Sequence, residues 1–440
     1  MSQSKIICLV FEGMGMSVLN NFFKLGYLDN LKQLLNKQGG ELLSSKVPYE
    51  GPALQEAFTG YTAEECGVFS YWHIHNYDYT PKIIDSNDLV RKAIWQREDF
   101  SDKKFGVINV FGTAKPYKIN GYMLSYLFQQ SLHGCYPFTL LNDLSKEGLP
   151  YGNDVSAFYT GKPRDHFLNM ILKLEKQRID VALDLVKKVD VLIANFTAVD
   201  RVSHFYTQEL DEGVFDDIKE TAIFKAYELL DSALGKFMKE LDKDSNLLVF
   251  SDLGFGTLRE FVSYNDYLEK GRFLERDPDG QTNWSKTVAF EAIQGSNGFN
   301  INLEGLYRDG IVSLNDFEMV RNKVMNYLEN LLNPKTGYPF FKKVCKGEEF
   351  YAGTYSKNAP HIMTVPYDER YLHFGDEYWA KHVTRHYQSG WHRRDGFWTG
   401  KGDKIDGIKK SGNIVDICST LYDIAGKEIP NDLMGTSLLT

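Results

Sequence analysis

Short apolar runs alternate with longer amphipathic stretches through the first 256 residues. The apolar runs have the length of buried strands and span residues 6–11, 41–47, 105–110, 189–196 and 247–250. Between them, apolar positions recur with helical spacing over residues 16–24, 28–35, 52–58, 165–188 and 216–241. This order is typical of a mostly parallel sheet with helices on both faces. We therefore predict an α/β fold.

The pattern becomes less regular from residue 257 to 380. This stretch is rich in Tyr, Asn and Gly and contains prolines at 334, 339, 360 and 366. Residues 413–425 then resume a clean amphipathic helix that Gly426 closes. We predict that residues 1–256 and 381–440 form the α/β core, and that 257–380 form a smaller inserted subdomain that shapes the substrate pocket.

Composition narrows the classes of function. The chain has 440 residues, of which 43% are hydrophobic and 25% charged, as expected of a folded protein. Its net charge of −9 argues against nucleic-acid binding, although a phosphorylated substrate stays open because a bound metal reverses the local field. No apolar run approaches the roughly 20 residues of a membrane span. We expect a small-molecule partner, no membrane and no nucleic acid, and the sequence leaves the oligomeric state open.

Cysteine usage and the N-terminus bear on the compartment. The five cysteines are an odd number, are widely spaced and contain no CxxC pair, which indicates reducing surroundings. The N-terminal residues lead directly into the first predicted strand, which is too short for a signal-peptide core. We expect a cytoplasmic protein.

Candidate metal ligands are concentrated in four short segments. These are residues 11–15, 200–204, 251–256 and 390–396. Three of them follow a strand-length apolar run, and open α/β sheets carry their reactive groups at the carboxyl ends of strands. Asp200 and His204 are four residues apart, so on a helix they share one face. His392 lies in a glycine-flanked, charged segment that we predict to be a loop, where a histidine has no core to fill.

Three further carboxylates have two interpretations each. Asp252 follows a strand and precedes Leu-Gly-Phe-Gly, where a carboxylate either caps a helix or binds a metal. Glu12 has the same position after the first strand. Glu50 precedes a predicted helix start at Pro52, where the positive end of the helix dipole would also favour an anion.

Two histidine pairs rank lower as site candidates. His382 and His386 are four residues apart but are typical of a surface helix face. His73 and His75 would alternate across a strand rather than converge.

Several motifs follow one another in the order of a known family. They include Val47-Pro48, Phe58-Thr59-Gly60, Asn120-Gly121-Tyr122, Asp200 with His204, Ser251-Asp252 with Gly254-Phe255-Gly256, and His392-Arg393 with Asp395-Gly396. In these motifs the chain resembles the alkaline phosphatase superfamily, specifically its type I phosphodiesterase/nucleotide pyrophosphatase and predicted phosphohydrolase/phosphomutase branch. The resemblance implies phosphorylated substrates and two metal ions, usually zinc, around a threonine or serine nucleophile.

The resemblance also implies roles for individual residues. Asp200, His204 and His392 match all three protein ligands of one metal. At the second metal, Glu12 stands where the family has aspartate, Asp252 is retained, and Leu253 replaces a histidine. Glu50 stands at the nucleophile position, so the usual phospho-threonine mechanism is not expected.

The altered set still contains four carboxylates and two histidines: Glu12, Glu50, Asp200, Asp252, His204 and His392. Because Glu50 replaces a residue that lies between the two metals in relatives, its carboxylate could bridge them. The loss of a histidine and the gain of carboxylates make the site harder and favour Fe, Mn or Mg over Zn, with one or two ions per chain.

Three functions are compatible with these residues. The first is a metal-dependent hydrolase or lyase acting on a phosphorylated small molecule, with a metal-bound hydroxide, or Glu50 as a base, in place of the lost nucleophile. The second is a dinuclear Fe or Mn enzyme with redox or oxygen chemistry on a biosynthetic intermediate, by analogy with the ligand sets of di-iron carboxylate proteins. The third is an inactive protein that binds a phosphorylated ligand or a partner protein.

Overall fold

The computed structural model describes residues 5–126, 134–153, 164–211, 217–375 and 387–440. Within these ranges the strands are β1 (Ile6–Phe11), β2 (Gly40–Leu43), β3 (Phe105–Ile108), β4 (Gly121–Leu124), β5 (Cys135–Tyr136), β6 (Val191–Phe196), β7 (Asn246–Phe250), β8 (Gly254–Thr257), β9 (Glu260–Val262), β10 (Ala289–Glu291), β11 (Gly298–Ile301), β12 (Phe341–Lys346), β13 (Ile362–Pro366), β14 (Tyr371–His373), β15 (Gly390–Arg393), β16 (Asp395–Lys401) and β17 (Gly412–Asn413).

The α-helices in the same ranges are α1 (Met16–Lys24), α2 (Asp29–Lys37), α3 (Glu50–Thr59), α4 (Ala63–Cys66), α5 (Leu140–Lys146), α6 (Arg164–Leu185), α7 (Ala198–Tyr206), α8 (Gln208–Asp211), α9 (Ala222–Lys239), α10 (Tyr264–Lys270), α11 (Phe317–Glu329), α12 (Gly347–Phe350) and α13 (Asp416–Ile424). None of the helices described is both long enough and apolar enough to cross a bilayer.

Contacts divide the chain into two units. The first comprises residues 1–62, 85–257 and 386–440, and the second comprises 63–84 and 258–385. The sequence prediction placed 63–84 in the core, and the contacts correct that boundary. Ser70 Oγ donates a hydrogen bond to the carbonyl of Gln294, and the backbone N–H of Arg308 donates one to the carbonyl of Tyr77. Such pairing between distant segments is not visible in the local pattern.

The first unit is built on a sheet of order β17-β2-β16-β7-β1-β6-β3-β4-β5. The five strands β7, β1, β6, β3 and β4 are parallel to their neighbours in this run, while β16 and β5 pair antiparallel at either side. Every residue of β1 and β6 is buried, as parallel strands covered on both faces require. The predicted α/β class with a mostly parallel central sheet is confirmed.

Two local predictions near the site are wrong in detail. Helix α3 begins at Glu50, two residues before the proline that was taken as its start, so Glu50 is its first residue. His392 lies in strand β15 rather than in a loop. Its strand pairs antiparallel with β8 and places His392 opposite Phe255. A partner strand from a distant segment gives this charged, glycine-rich stretch a regular structure.

The second unit has its own sheet, of order β10-β11-β13-β12, and its own aromatic core. The sheet is antiparallel throughout. Tyr264, the first residue of α10, is fully buried and packs against Phe299, Phe340 and Phe341. The unit therefore has a hydrophobic core independent of the large sheet.

Candidate metal centre

Three neighbouring parallel strands bring carboxylates to one edge of the large sheet. Glu12 directly follows β1, Asp252 comes two residues after β7, and Asp200 lies in the first turn of α7 after β6. The backbone joins two of them, because the Glu12 carbonyl accepts a hydrogen bond from the Asp200 N–H at 3.2 Å. The order β7-β1-β6 thus gathers residues that are up to 240 positions apart in the sequence.

Asp200, His204 and His392 form one compact group. Within the described ranges they are the residues whose candidate ligand atoms all lie within 4.8 Å of one another. Asp200 Oδ1 lies 3.1 Å from His392 Nε2 and 3.7 Å from His204 Nε2. The spacing of four residues on α7 gives Asp200 and His204 a common face, as the sequence predicted.

His392 reaches this group because glycine lets its strand approach helix α7. A Cβ atom built on Gly390 would lie 2.2 Å from Thr207 Oγ1 and 2.3 Å from the Ser203 carbonyl oxygen, so a side chain there would displace the strand. The rings of Trp391 and Phe255 pack against both histidines at centroid distances near 5 Å. These aromatic rings limit the orientations of the imidazoles.

Glu50 approaches the group from the start of α3. Its Oε2 lies 3.9 Å from His392 Nδ1, and its side chain is buried. The adjacent Tyr49 packs against the His392 ring at a centroid distance of 5.4 Å. Glu50 therefore lies beside the three-residue group, next to His392 Nδ1.

Glu12 and Asp252 lie close enough to Asp200 and Glu50 for those charges to act on both, and they are held by polar neighbours. Asn195 Nδ2 donates to Glu12 Oε2 at 2.5 Å, and the Gly13 N–H donates to Asp252 Oδ1 at 3.3 Å. Strand β8 rather than a helix follows Asp252, so the alternative interpretation of this carboxylate as a helix cap is wrong. Leu253 is fully buried.

Arg201 is a site residue that the sequence analysis missed. Its Nη1 lies 2.5 Å from Asp200 Oδ2 and 3.8 Å from Glu12 Oε1, and its Nη2 donates to the Tyr126 hydroxyl at 2.5 Å. Asn195, which orients Glu12, was missed as well. An arginine beside a helical aspartate and an asparagine at the end of an apolar strand carry no distinctive local signal. Only the assembled sheet shows that they face the carboxylates.

A second buried ion pair anchors the helix that carries Asp200. Glu175 and Arg178 of α6 are paired and almost fully buried. Glu175 Oε1 accepts a hydrogen bond from the Ala198 N–H, and Arg178 Nη1 donates to Thr197 Oγ1 at 2.8 Å. The carboxylate thus occupies the N-terminus of α7, where backbone N–H groups lack helical partners.

Burial and crowding shift the pKa values of the cluster. Burial, followed by the charges of Glu50 and Asp200, raises the pKa of Asp252 to about 8. Burial and the Asp200 charge raise the pKa of Glu12 well above its usual value, and burial also raises that of Glu50 despite the opposing effect of His392. Asp252 therefore holds a proton at neutral pH unless a cation replaces that proton.

Asp200 and the two histidines shift in other directions. Burial alone would raise the pKa of Asp200, but His204, Arg201 and His392 hold it well below its usual range. Burial lowers the pKa of His204 to about 3, which leaves its imidazole neutral. Burial would lower the pKa of His392 as well, but its hydrogen bond to Asp200 and the Glu50 charge raise it. An ionised carboxylate and a neutral imidazole are the forms that bind metal.

Unsatisfied polar atoms show whether a cation fits here. Four buried atoms of the cluster have no hydrogen-bond partner among the described residues: Glu12 Oε1, Glu50 Oε2, Asp252 Oδ2 and His392 Nδ1. Leaving such atoms unpaired is costly. Because three of the four are carboxylate oxygens in a crowded anionic cluster, the residues present fit one or two divalent cations.

The lower-ranked histidines fall elsewhere. His75 belongs to the second unit, where its ring nitrogens contact the Tyr307 hydroxyl at 2.7 Å and the Ala359 carbonyl at 3.0 Å. His73 belongs to the same unit. His382 and His386 lie outside the described residues.

Solved structures with a similar fold include a phosphatase, a pyrophosphatase/phosphodiesterase and a phosphonoacetate hydrolase. Alkaline phosphatase PafA matches with a TM-score of 0.64 at 13% identity over 99% of this chain and 98% of that one. Human ectonucleotide pyrophosphatase/phosphodiesterase 5 matches with a TM-score of 0.57 at 14% identity over 98% and 97%. Phosphonoacetate hydrolase from Sinorhizobium meliloti 1021, in complex with phosphonoformate, matches with a TM-score of 0.57 at 13% identity over 90% of each chain. This chain therefore shares its fold with these three proteins.

The family assignment is narrower than the fold. The sequence model of the family described as type I phosphodiesterase / nucleotide pyrophosphatase matches residues 6–395. The chain therefore belongs to this family, as the sequence motifs indicated. No curated protein matches the sequence.

Proposed function

We propose that this protein is a divalent-metal-dependent hydrolase that acts on a phosphorylated small molecule without a threonine or serine nucleophile. The observation that carries the proposal is the convergence of Asp200, His204 and His392, whose ligand atoms lie within 4.8 Å of one another. Membership of the phosphodiesterase family supports the substrate class. Two relatives of this fold are described in complex with AMP and with phosphonoformate, which are small phosphorus-containing ligands.

In this proposal Asp200, His204 and His392 would hold one cation, because one oxygen of Asp200 faces a ring nitrogen of each histidine. When bound, a divalent cation polarises a phosphoryl oxygen and stabilises the charge that develops on it. Arg201 binds the other oxygen of Asp200 and so fixes the carboxylate orientation.

Glu50 is the proposed catalytic base. It stands at the first position of α3, and its Oε2 has no hydrogen-bond partner among the described residues. Burial raises its pKa, which brings a carboxylate nearer to the working range of a base at neutral pH. A carboxylate there can accept the proton of an attacking water, and it cannot form the phosphate ester that a threonine hydroxyl forms.

The first experiment is metal analysis combined with a substrate panel. Protein purified without chelator from cells supplied with zinc, iron and manganese is assayed against phosphomonoesters, phosphodiesters and pyrophosphates. We expect bound divalent metal and turnover of one substrate class. Glu50→Gln should abolish turnover while metal content is kept. Absence of turnover across the panel by metal-loaded protein contradicts the proposal.

A matched histidine pair separates ligand loss from general damage. We expect His392→Ala to lower metal affinity by at least tenfold and to abolish activity. His166→Ala removes an exposed histidine from α6 and serves as the control, which should change neither quantity. Equal metal affinity in the two variants would remove His392 from the site.

A dinuclear Fe or Mn enzyme is the second candidate, and the charge of the cluster favours it. Four carboxylates surround the site, and Arg201 is the cation found beside them among the described residues. One divalent ion leaves a net negative charge there, and a second ion held by Glu12, Glu50 and Asp252 would offset it. About two Fe or Mn per chain, with no phosphoesterase activity, would favour this function over hydrolysis.

Restoring the family residues tests whether the scaffold keeps its ancestral chemistry. Glu50→Thr combined with Leu253→His supplies the missing nucleophile and histidine. Gain of phosphodiesterase activity in this double variant, with none in the parent, would show that the native site performs a different reaction. An inactive ligand-binding protein, the third hypothesis, requires that neither the parent nor Glu50→Gln turns over any substrate.

A further inference from the structure

Three carboxylates of the metal centre share one feature: a protein donor binds one of their two oxygens. The bonds run from Asn195 Nδ2 to Glu12 Oε2 at 2.5 Å, from Arg201 Nη1 to Asp200 Oδ2 at 2.5 Å, and from the Gly13 N–H to Asp252 Oδ1 at 3.3 Å. Of the remaining oxygens, Glu12 Oε1 and Asp252 Oδ2 accept no hydrogen bond from the described residues, and Asp200 Oδ1 faces the two histidines. Each of these carboxylates therefore has one oxygen left for a cation.

The donor to Glu12 is a side chain of the neighbouring strand. Asn195 lies in β6, and Glu12 directly follows β1, which pairs with β6. Both side chains are fully buried. Once a cation keeps Glu12 ionised, the hydrogen bond from Asn195 is charge-assisted and strong. The bonded oxygen, Oε2, is then costly to release.

A second acceptor fixes the direction of the Asn195 amide. Its Nδ2 also donates to the backbone carbonyl of Asn109 at 3.0 Å. A carbonyl can only accept hydrogen bonds, so the nitrogen end of the amide faces Asn109 and Glu12 whatever the charge of Glu12. Asn109 comes directly after β3, the next strand of the sheet. Asn195 therefore presents its donor to Glu12 from a fixed position.

The remaining oxygen of Glu12 lies near Asp200. Glu12 Oε1 is 3.8 Å from Arg201 Nη1, and the same nitrogen donates to Asp200 Oδ2. Glu12 therefore has one oxygen beside the group that Asp200 forms with the two histidines, while Asn195 holds the other oxygen.

The number of oxygens that each carboxylate offers affects which cation fits. Ca²⁺ takes roughly 6–8 oxygen ligands and often binds both oxygens of one carboxylate. Smaller divalent cations complete their coordination with fewer ligands, so one oxygen per carboxylate is sufficient for them. To bind Ca²⁺ with both oxygens, Glu12 would have to give up its hydrogen bond from Asn195. This cost falls on Ca²⁺ and not on a smaller cation.

We propose that Asn195 is a positioning residue that sets the cation specificity of the metal centre. By holding Glu12 Oε2 it makes Glu12 a one-oxygen ligand, and it thereby disfavours Ca²⁺ relative to a smaller divalent cation such as Mn²⁺. The inference rests on the proposed function for the existence of the centre. It goes further in assigning the selectivity to a residue that acts only through Glu12.

The test compares the affinities of the full-length protein for Mn²⁺ and for Ca²⁺, each measured by calorimetry, in the parent and in Asn195→Leu. Leucine has a similar size and no donor. We expect the variant to lose Mn²⁺ affinity by about 10–100-fold, as changes to residues that orient a ligand commonly do. Ca²⁺ should lose less, because the released Oε2 becomes available to it, so the ratio of Mn²⁺ to Ca²⁺ affinity should fall about tenfold. An unchanged ratio in folded Asn195→Leu overturns the proposal.

A matched asparagine separates cation selectivity from general loss of stability. Asn246 is also buried in the large sheet, but it begins β7 and so lies at the opposite end of that strand from Asp252. Asn246→Leu should leave the ratio of the two affinities unchanged even where it lowers stability. An equal fall of the ratio in both variants would assign the effect to loosening of the sheet and overturn the proposal.

The parent protein decides if Asn195→Leu does not fold. Tighter binding of Mn²⁺ than of Ca²⁺ supports the proposal, and equal or tighter binding of Ca²⁺ overturns it. A parent that binds Mn²⁺ but turns over no phosphate ester contradicts the proposed function alone, since the affinity ratio still decides the role of Asn195. A parent that binds neither cation contradicts both.

Discussion

Replacing Asp252 with asparagine should make the metal-free protein more stable. The carboxylate is fully buried in a cluster with Glu12, Glu50 and Asp200, and its pKa rises from 3.8 to about 8. The folded protein therefore binds this proton more tightly than the unfolded chain does. Stability from this group is highest below pH 3.8 and is lost as the pH rises toward 8.

The size of the effect follows from the same values. At pH 7 the unfolded carboxylate is ionised, and about three pH units separate its ordinary pKa from that pH. At about 1.4 kcal/mol per unit, holding the proton in the folded state costs on the order of 4 kcal/mol. Asparagine has the same shape without the ionisation, and its Oδ1 can still accept the hydrogen bond from Gly13. We expect Asp252→Asn to raise the free energy of unfolding by about 2–4 kcal/mol.

The assay is urea unfolding at pH 7 in the presence of EDTA, repeated with added divalent metal. The variant should be more stable than the parent with EDTA and should gain less from metal, because it has lost a carboxylate of the cluster. Asp242→Asn removes the same charge from an exposed position and serves as the control. Lower stability of Asp252→Asn in EDTA would refute the reasoning, since it would mean that the carboxylate is not under electrostatic strain.

Three other predictions test the framework of the two units. Gly13 and Gly26 have similar φ values of +81° and +83°, but a Cβ on Gly13 would lie 2.8 Å from the backbone of α7, whereas a Cβ on Gly26 would meet no atom. Alanine at Gly26 should therefore lower the free energy of unfolding by about 1–2 kcal/mol, and alanine at Gly13 should lower it clearly more and also weaken metal binding. Urea unfolding and metal titration of the two variants measure these effects. Burial lowers the pKa of His75 to about 4, so the unfolded chain takes up the proton first and stability should fall as pH drops below 6.5, by about 2 kcal/mol at pH 5. His75→Gln should remove that part of the pH dependence in urea unfolding. Arg178→Met should cost about 3–5 kcal/mol because it removes the cation that neutralises the buried Glu175 carboxylate, and an unchanged unfolding midpoint would contradict that role.

The local pattern of apolar and polar residues was sufficient to predict elements of the first unit. The run Ile6–Phe11 and the helix Met16–Lys24 were predicted with the bounds that the structure has. These segments are fully determined by neighbouring residues, because a run of six apolar side chains is stable only when buried and an amphipathic helix has a single apolar face. The same local logic placed Asp200 and His204 on one face of a helix.

Tertiary contacts decided what local pattern leaves open. Strand β15 is regular only because β8 pairs with it, so His392 was predicted in a loop. Residues 63–84 have no strong periodicity, and their membership of the second unit depends on contacts with residues more than 200 positions away. Arg201 and Asn195 have no motif, and they became site residues only through their distances to Asp200 and Glu12.

The fold class, the family and the candidate ligands could be predicted from the sequence, since each depends on residue types at short or ordered spacing. Which ligands converge, which polar atoms are left without partners and which neighbours shift the pKa values of the ligands depend on the three-dimensional arrangement. The physical reason is that burial, hydrogen bonding and charge repulsion act through space, between side chains whose separation along the chain has no fixed relation to their distance.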